Sequence, residues 1–185
     1  MTLVGIGASA GGPAAVAAVL TALPSDFRGA IIVVQHIDAH QAAGMAEWLA
    51  RQASLPVRIA SEGDRPEPGS VLLAGTNDHL VLKSADRLGY SAKPVESVYR
   101  PSVDAFFQSV SRLWTGDAIG VLLTGMGRDG AQGLKTLRDQ GRHTIAQDEQ
   151  SSAVYGMPKA AARLGAAREI LPLPRIAPRL VTLVS

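Results

Sequence analysis

The sequence contains no cysteine. That removes disulfides, thiolate metal sites and a cysteine nucleophile from consideration, and it fits a chain that works in a reducing cytoplasm. Aromatic residues make up only 4% of the 185 positions, so a core must be assembled from Ala, Val, Leu and Ile. No apolar stretch approaches the length needed to cross a bilayer, which speaks against membrane insertion. The first apolar run, Leu3 to Ile6, is interrupted by Gly5 and has no basic leader, so no signal peptide is expected. Charge of one sign is scarce too: Lys and Arg number 18 against 16 Asp and Glu, a formal net charge of +2. The basic residues are scattered instead of forming a stripe, which disfavours nucleic-acid binding.

What is present is apolar and small. Hydrophobic residues account for 46% and charged ones for 18%, ordinary globular proportions. The length suits one domain over residues 1–185, large enough to bury about 70% of the surface its unfolded chain exposes. Three runs rich in β-branched residues, Leu3 to Ile6, Ala30 to Val34 and Ala118 to Leu123, are hydrophobic throughout instead of alternating. Strands of that kind are covered on both faces, as in a parallel sheet. Helical stretches follow or separate them at Pro13 to Leu23, Asp38 to Ala53, Ser102 to Trp114, Ala131 to Gln140 and Pro158 to Leu164. Pro13 and Pro158 suit a first helical position, and Asp38-x-x-Gln41 and Asp129-x-x-Gln132 read as capping boxes. The alternation predicts a doubly wound, mostly parallel α/β fold with helices on both faces and right-handed crossovers. His79 to Lys83 and Leu88 to Ser91, around Ser84-Ala85-Asp86, read as a β-hairpin near one sheet edge.

In an open parallel sheet, ligands bind beyond the carboxyl ends of the strands. The residues leaving the three runs there are Ser9, in Gly7-Ala8-Ser9-Ala10-Gly11-Gly12-Pro13; His36, in Val34-Gln35-His36; and Asp129, in Thr124-Gly125-Met126-Gly127-Arg128-Asp129-Gly130. A hydroxyl on a tight strand-to-helix turn is the arrangement of a nucleophile elbow. It needs a base to take its proton, and the base works best when a carboxylate fixes its tautomer. The Ala10 N–H, directly after Ser9 and before a helix, is a candidate oxyanion donor. Each residue also has a plainer explanation. Ser9 could cap the helix or cradle a phosphate, His36 could bond a neighbouring loop, and Asp129 fits an N-cap. Independent structural roles do not require all three to lie at strand ends.

Rival readings are weaker. Gly5-x-Gly7-x-x-Ala10 matches a degenerate dinucleotide fingerprint between a strand and a helix, but the acidic ribose ligand expected after the second strand is replaced by Gln35-His36. An ordinary α/β-hydrolase runs Ser, then acid, then His, whereas the order here is Ser, His, Asp. His36-x-Asp38-x-His40, with Asp78 and His79, matches no recognised ligand spacing, so no metal is expected. Arg100-Pro101-Ser102-Val103-Asp104 reads as a helix start with Asp104 near the positive end of the dipole, and as a candidate cleft wall.

Taken in order, several segments resemble the catalytic domain of the bacterial chemotaxis protein-glutamate methylesterases: Ile6 to Pro13, Val34 to His36, Pro68-Gly69 with Asp78-His79-Leu80, Arg100 to Asp104, Leu123 to Ala131, and Thr144 to Glu149 through Gly156-Met157-Pro158. They run over nearly the whole chain. The resemblance implies hydrolysis of glutamate γ-methyl esters on the methylated cytoplasmic helices of transmembrane chemoreceptors, releasing methanol, and in some members deamidation of receptor glutamines. It implies Ser9 as nucleophile, His36 as proton shuttle, Asp129 as its orienting acid, and the Met126 N–H beside that of Ala10 in an oxyanion hole. It implies no cofactor. Ala10 stands where the family usually has Thr, and Ser152 and Tyr155 depart from the common residues of their loop. The family's usual receiver domain is not in this sequence, which implies one that is either separate or missing.

Overall fold

A computed structural model describes residues 1–185. Nine strands and six helices follow in the order β1 (Thr2–Ala8), α1 (Gly12–Thr21), β2 (Ala30–Gln35), α2 (Ala39–Gln52), β3 (Val57–Ile59), β4 (Val71–Leu73), β5 (His79–Leu82), β6 (Leu88–Ser91), α3 (Val103–Leu113), β7 (Asp117–Leu122), α4 (Ala131–Asp139), β8 (His143–Gln147), α5 (Met157–Leu164), β9 (Glu169–Leu171) and α6 (Leu173–Val184). Seven strands form one sheet in the order β3-β4-β2-β1-β7-β8-β9, parallel throughout. The three runs with continuous apolar character are its centre. β1 pairs with β2 from Leu3↔Ala30 to Ala8↔Gln35 and with β7 from Thr2↔Asp117 to Gly7↔Leu122.

Both faces of the sheet are covered by cores of nearly equal size, 25 and 24 buried residues. Inward residues of α1, α2 and α6 pack with Ile6, Ile31, Val33 and Val121. Those of α3, α4 and α5 pack with Leu3, Ile32, Val34 and Leu122. Glycines decide how closely the second layer approaches. A Cβ at Gly5 would stand 2.9 Å from the Phe106 ring, and one at Gly7 would stand 2.4 Å from a Val103 methyl. These glycines are the space into which α3 settles, and that explains them without a dinucleotide.

Connections leave the centre in opposite directions. β1 leads to β2 on one side, while β7, on the other side of β1, leads outward to β8. The carboxyl ends of β1 and β7 therefore flank a switch point, where an open α/β sheet forms its crevice. The expected hairpin is present near a sheet edge, and one capping expectation needs correction. The hairpin β5–β6 is a sheet of its own beside the β3–β4 edge, where the Tyr90 hydroxyl donates to the Ala60 carbonyl at 2.6 Å and accepts from the Gly75 N–H at 3.1 Å. Its Leu82 N–H donates to Ser109 Oγ of α3 at 3.0 Å.

Asp129-x-x-Gln132 is not a capping box. Gly130, at φ 91°, is the N-cap of α4 and supplies no side chain; only glycine takes that conformation without strain. Asp129 caps a different helix, as described below. Asp38 does cap α2, with its carboxylate accepting from the His40 N–H at 2.9 Å, while Gln41 contributes its main-chain N–H to the Asp38 carbonyl. Pro13 and Pro158 each sit one residue inside their helices.

Candidate active site

Main-chain pairing continues past the central strands and gathers their exit segments. The Leu123 N–H donates to the Gly7 carbonyl at 2.8 Å, that of His36 to Ala8 at 3.0 Å, and that of Ser9 to Thr124 at 3.0 Å. Ser9 is thereby held between the β2 and β7 exits. The chain then turns through Gly11, at φ 77°, into α1, which keeps the Ser9 side chain at the sheet's end, 8% exposed as a residue.

The segment after β7 wraps around this hydroxyl. The Met126 N–H donates to Ser9 Oγ at 2.9 Å, while the Met126 side chain is exposed, so this residue offers its main chain. A Cβ at Gly125 would lie 2.4 Å from Ser9 Oγ; only glycine lets the turn come this close. The turn is held from below. Gly125 receives the Gly156 and Met157 N–H groups on its carbonyl and donates to Val154, and the Thr124 hydroxyl, with one proton to share, sits 3.0 Å from the Ala10 carbonyl and 3.1 Å from the Val154 carbonyl. Gln147 accepts the Thr124 N–H through Oε1 at 2.8 Å. Tyr155, one of the positions departing from the family pattern, bridges to Gly125 in this support.

His36 Nε2 lies 2.6 Å from Asp129 Oδ2. An ionised carboxylate only accepts, so Nε2 carries the proton and Nδ1 keeps a lone pair. One face of the imidazole stacks on the Tyr99 ring, with centroids 4.8 Å apart and planes 15° from parallel. Asp129, 3% exposed, also accepts from the Val103 N–H at 2.6 Å, Ser102 Oγ at 3.0 Å and the Asp104 N–H at 3.0 Å. It thus caps α3 from across the site, with the positive end of that helix dipole directed at its charge.

Burial alone would raise the Asp129 carboxyl, but the bonds from His36 and from the Asp104 and Val103 amides outweigh it and hold the group below the usual carboxylate range. Asp104 behaves oppositely. Burial first, and then the neighbouring Asp129 charge, push it up to about 6 although Gly133 N–H favours its ionised form. Asp104 Oδ1 accepts that N–H at 2.7 Å. Each acidic residue therefore caps the first turn of the other's helix.

The other histidines and acids do not join this group. His40 bonds Asp38 in solvent, Asp78 pairs with Arg100 at 3.1 Å, and buried His79 accepts the Ser102 N–H on Nδ1 and faces the Pro94 carbonyl with Nε2. A cavity of about 1260 Å³ lies behind Asp129, between the segment 93–99 and α3 and α4; Ser9 and His36 are not in its wall. Sequence reading placed Arg100 to Asp104 at the cleft, and that segment supplies the Asp129 cage. It missed Tyr99, for which no local pattern gives a signal.

A family model described as CheB methylesterase matches residues 4–180. The chain belongs to the CheB methylesterase family. It is 66% identical over 179 residues to protein-glutamate methylesterase/protein-glutamine glutaminase 2 of Cupriavidus metallidurans, a match covering 97% of this chain and 53% of that protein. A relative in Pseudomonas fluorescens, protein-glutamate methylesterase/protein-glutamine glutaminase 1, is 63% identical over 180 residues, 97% of this chain and 54% of its own. The chain therefore spans about half the length of the curated relatives it matches. The crystal structure of the Thermotoga maritima CheB methylesterase catalytic domain superposes with a TM-score of 0.91 at 34% identity, over 98% of both chains. Membership fixes the fold as that of the family's catalytic domain. No helix is long and apolar enough to cross a membrane.

Proposed function

We propose that residues 1–185 form one catalytic domain that hydrolyses glutamate γ-methyl esters on the cytoplasmic helices of chemoreceptors, with Ser9, His36 and Asp129 as its triad and Ala10 and Met126 as oxyanion donors. The observation that carries this reading is the convergence at one sheet edge of Ser9 Oγ beneath the Met126 N–H and of His36 on Asp129.

The chemistry follows from what each atom can do. Asp129 accepts the Nε2 proton, so Nδ1 is the nitrogen available to Ser9. Ser9 Oγ already accepts from Met126, which leaves its own proton free to pass to Nδ1 as Oγ attacks the ester carbonyl. Negative charge then develops on the carbonyl oxygen, and the Met126 and Ala10 N–H groups are its proposed donors. On collapse the imidazolium returns its proton to the departing methoxide, and methanol leaves an acyl-enzyme. Water repeats the sequence with His36 as base, regenerating Ser9 and releasing glutamate. The same path with a glutamine substrate releases ammonia, consistent with the glutaminase in the relatives' names.

The test is methanol release from methylated receptor fragments. Ser9→Ala is expected to lower kcat by a factor of about 10⁴ or more while leaving the thermal unfolding curve close to the parent's. Undiminished release by this variant would refute Ser9 as nucleophile.

A further inference from the structure

Gln35 stands where a dinucleotide-binding domain would carry its ribose acid, and the mechanism above gives it no task. It is 2% exposed, at the carboxyl end of β2. Its amide nitrogen donates to the Ser9 carbonyl at 2.8 Å and to the His36 carbonyl at 3.3 Å. One carboxamide thus holds the main chain of both the nucleophile and the base.

The bond to Ser9 has a consequence for the next residue. The Ser9 carbonyl also accepts the Gly12 N–H at 2.7 Å, so two donors draw it to one side. A trans peptide unit carries its C=O and N–H on opposite sides. Fixing the Ser9 carbonyl therefore turns the Ala10 N–H, in the same rigid plane, away from Gln35 and Gly12. The fit is built around this contact, since a Cβ at Gly12 would come within 2.0 Å of Gln35 Oε1. That oxygen is buried and takes no hydrogen bond. An unpaired buried acceptor costs stability, so the carboxamide is held at some expense to folding for what its nitrogen does.

We infer that Gln35 is a positioning residue, which aims the Ala10 N–H at the developing oxyanion and fixes the separation of the Ser9 and His36 main chains. This role presupposes Ser9 as the nucleophile. Two variants of the 185-residue protein test it. Gln35→Met keeps the length of the side chain and removes its donors, whereas Gln35→Leu removes the donors with a shorter side chain. Each is assayed on a peptide bearing a glutamate γ-methyl ester, with a peptidyl trifluoromethyl ketone as inhibitor; addition of Ser9 Oγ to the ketone carbon produces a tetrahedral oxyanion.

The expected result is a kcat lowered about 10²-fold with KM within about twofold of the parent, because oxyanion donors act in the transition state and not on bound substrate. Inhibitor affinity should fall in step with kcat. A purely structural defect would instead lower the titratable fraction of active enzyme and leave the inhibitor constant of that fraction unchanged, which overturns the role. So does a folded variant, judged by thermal unfolding, that keeps the parent's kcat and inhibitor affinity. If Gln35→Met does not fold, Gln35→Leu decides, since it lacks the same donors and fills less of the buried space. Ser9→Ala, run alongside, separates the two levels. Methanol release by Ser9→Ala defeats the nucleophile; an inert Ser9→Ala beside a fully active Gln35→Met defeats the positioning role alone.

Discussion

The two ends of the proposed triad are built differently. Asp129 accepts from four donors, one of them on His36 and three from Ser102, Val103 and Asp104 at the start of α3. Ser9 Oγ is bonded by the Met126 N–H and lies against Gly125, with the small residues Ala10 and Gly11 following it in the chain. A carboxylate that fixes a tautomer must stay ionised and still, so it is caged. A nucleophile must exchange partners during the reaction, so its surroundings are small and its bonds few. The cage couples Asp129 to the fold, whereas Ser9 is free to be chosen for chemistry.

Substitution at the two ends should therefore separate activity from stability. Asp129→Ala is expected to lower kcat by a factor of about 10⁴. It also strips α3 of an acceptor for its first N–H groups, with a loss of about 2 to 3 kcal/mol in denaturant unfolding. Ser9→Ala should match the first effect without the second. Equal destabilisation by both would break the contrast between a caged acid and a lightly held nucleophile.

Between the ends lies His36, stacked on Tyr99. A pair of this kind contributes about 0.5 to 1.5 kcal/mol, which sets the expected loss in kcat for Tyr99→Ala at roughly tenfold or less. Tyr99→Phe keeps the ring and should restore most of it. Equal kcat in the Phe and Ala variants would remove Tyr99 from the positioning of the base.

Much of this was legible beforehand, for identifiable reasons. β1, β2 and β7 are buried on both faces and carry unbroken apolar runs, so the sheet's centre, its parallel character and the exits bearing Ser9, His36 and Asp129 could be read directly. β3, β4 and β9 have three residues each, too few to display a period. β8 hides because buried polar residues interrupt it: Thr144 Oγ1 donates to the Ala166 carbonyl and Gln147 accepts from Thr124. α6 contains Pro178, which ordinarily argues against a helix interior; its burial of Ile176, Ala177 and Leu180 overrides that signal. Asp129 was assigned to the wrong helix because a cap is inferred from chain neighbours, and its true partner lies 26 residues earlier in the sequence.

The exchange of caps between α3 and α4 yields the smallest effect and the one most specific to the cage. Two carboxyls share this site, and their environments drive them apart: Asp129 stays ionised while Asp104 is raised from 3.8 to about 6. The folded state therefore binds the Asp104 proton more tightly than the unfolded chain does. Its contribution to stability is fully present below the unfolded value of 3.8 and is lost as pH rises through about 6. That gap sets an upper bound of about 3 kcal/mol, and partial solvent exposure brings the expected effect to about 1. Asp104→Asn keeps an acceptor for the Gly133 N–H and removes the titration. Thermal unfolding of the Asn variant should nearly coincide with the parent at pH 3.5, below the unfolded value, and exceed it by a few degrees at pH 7.5. An advantage of the same size at both pH values would mean that Asp104 does not carry the proton that lets Asp129 keep its charge.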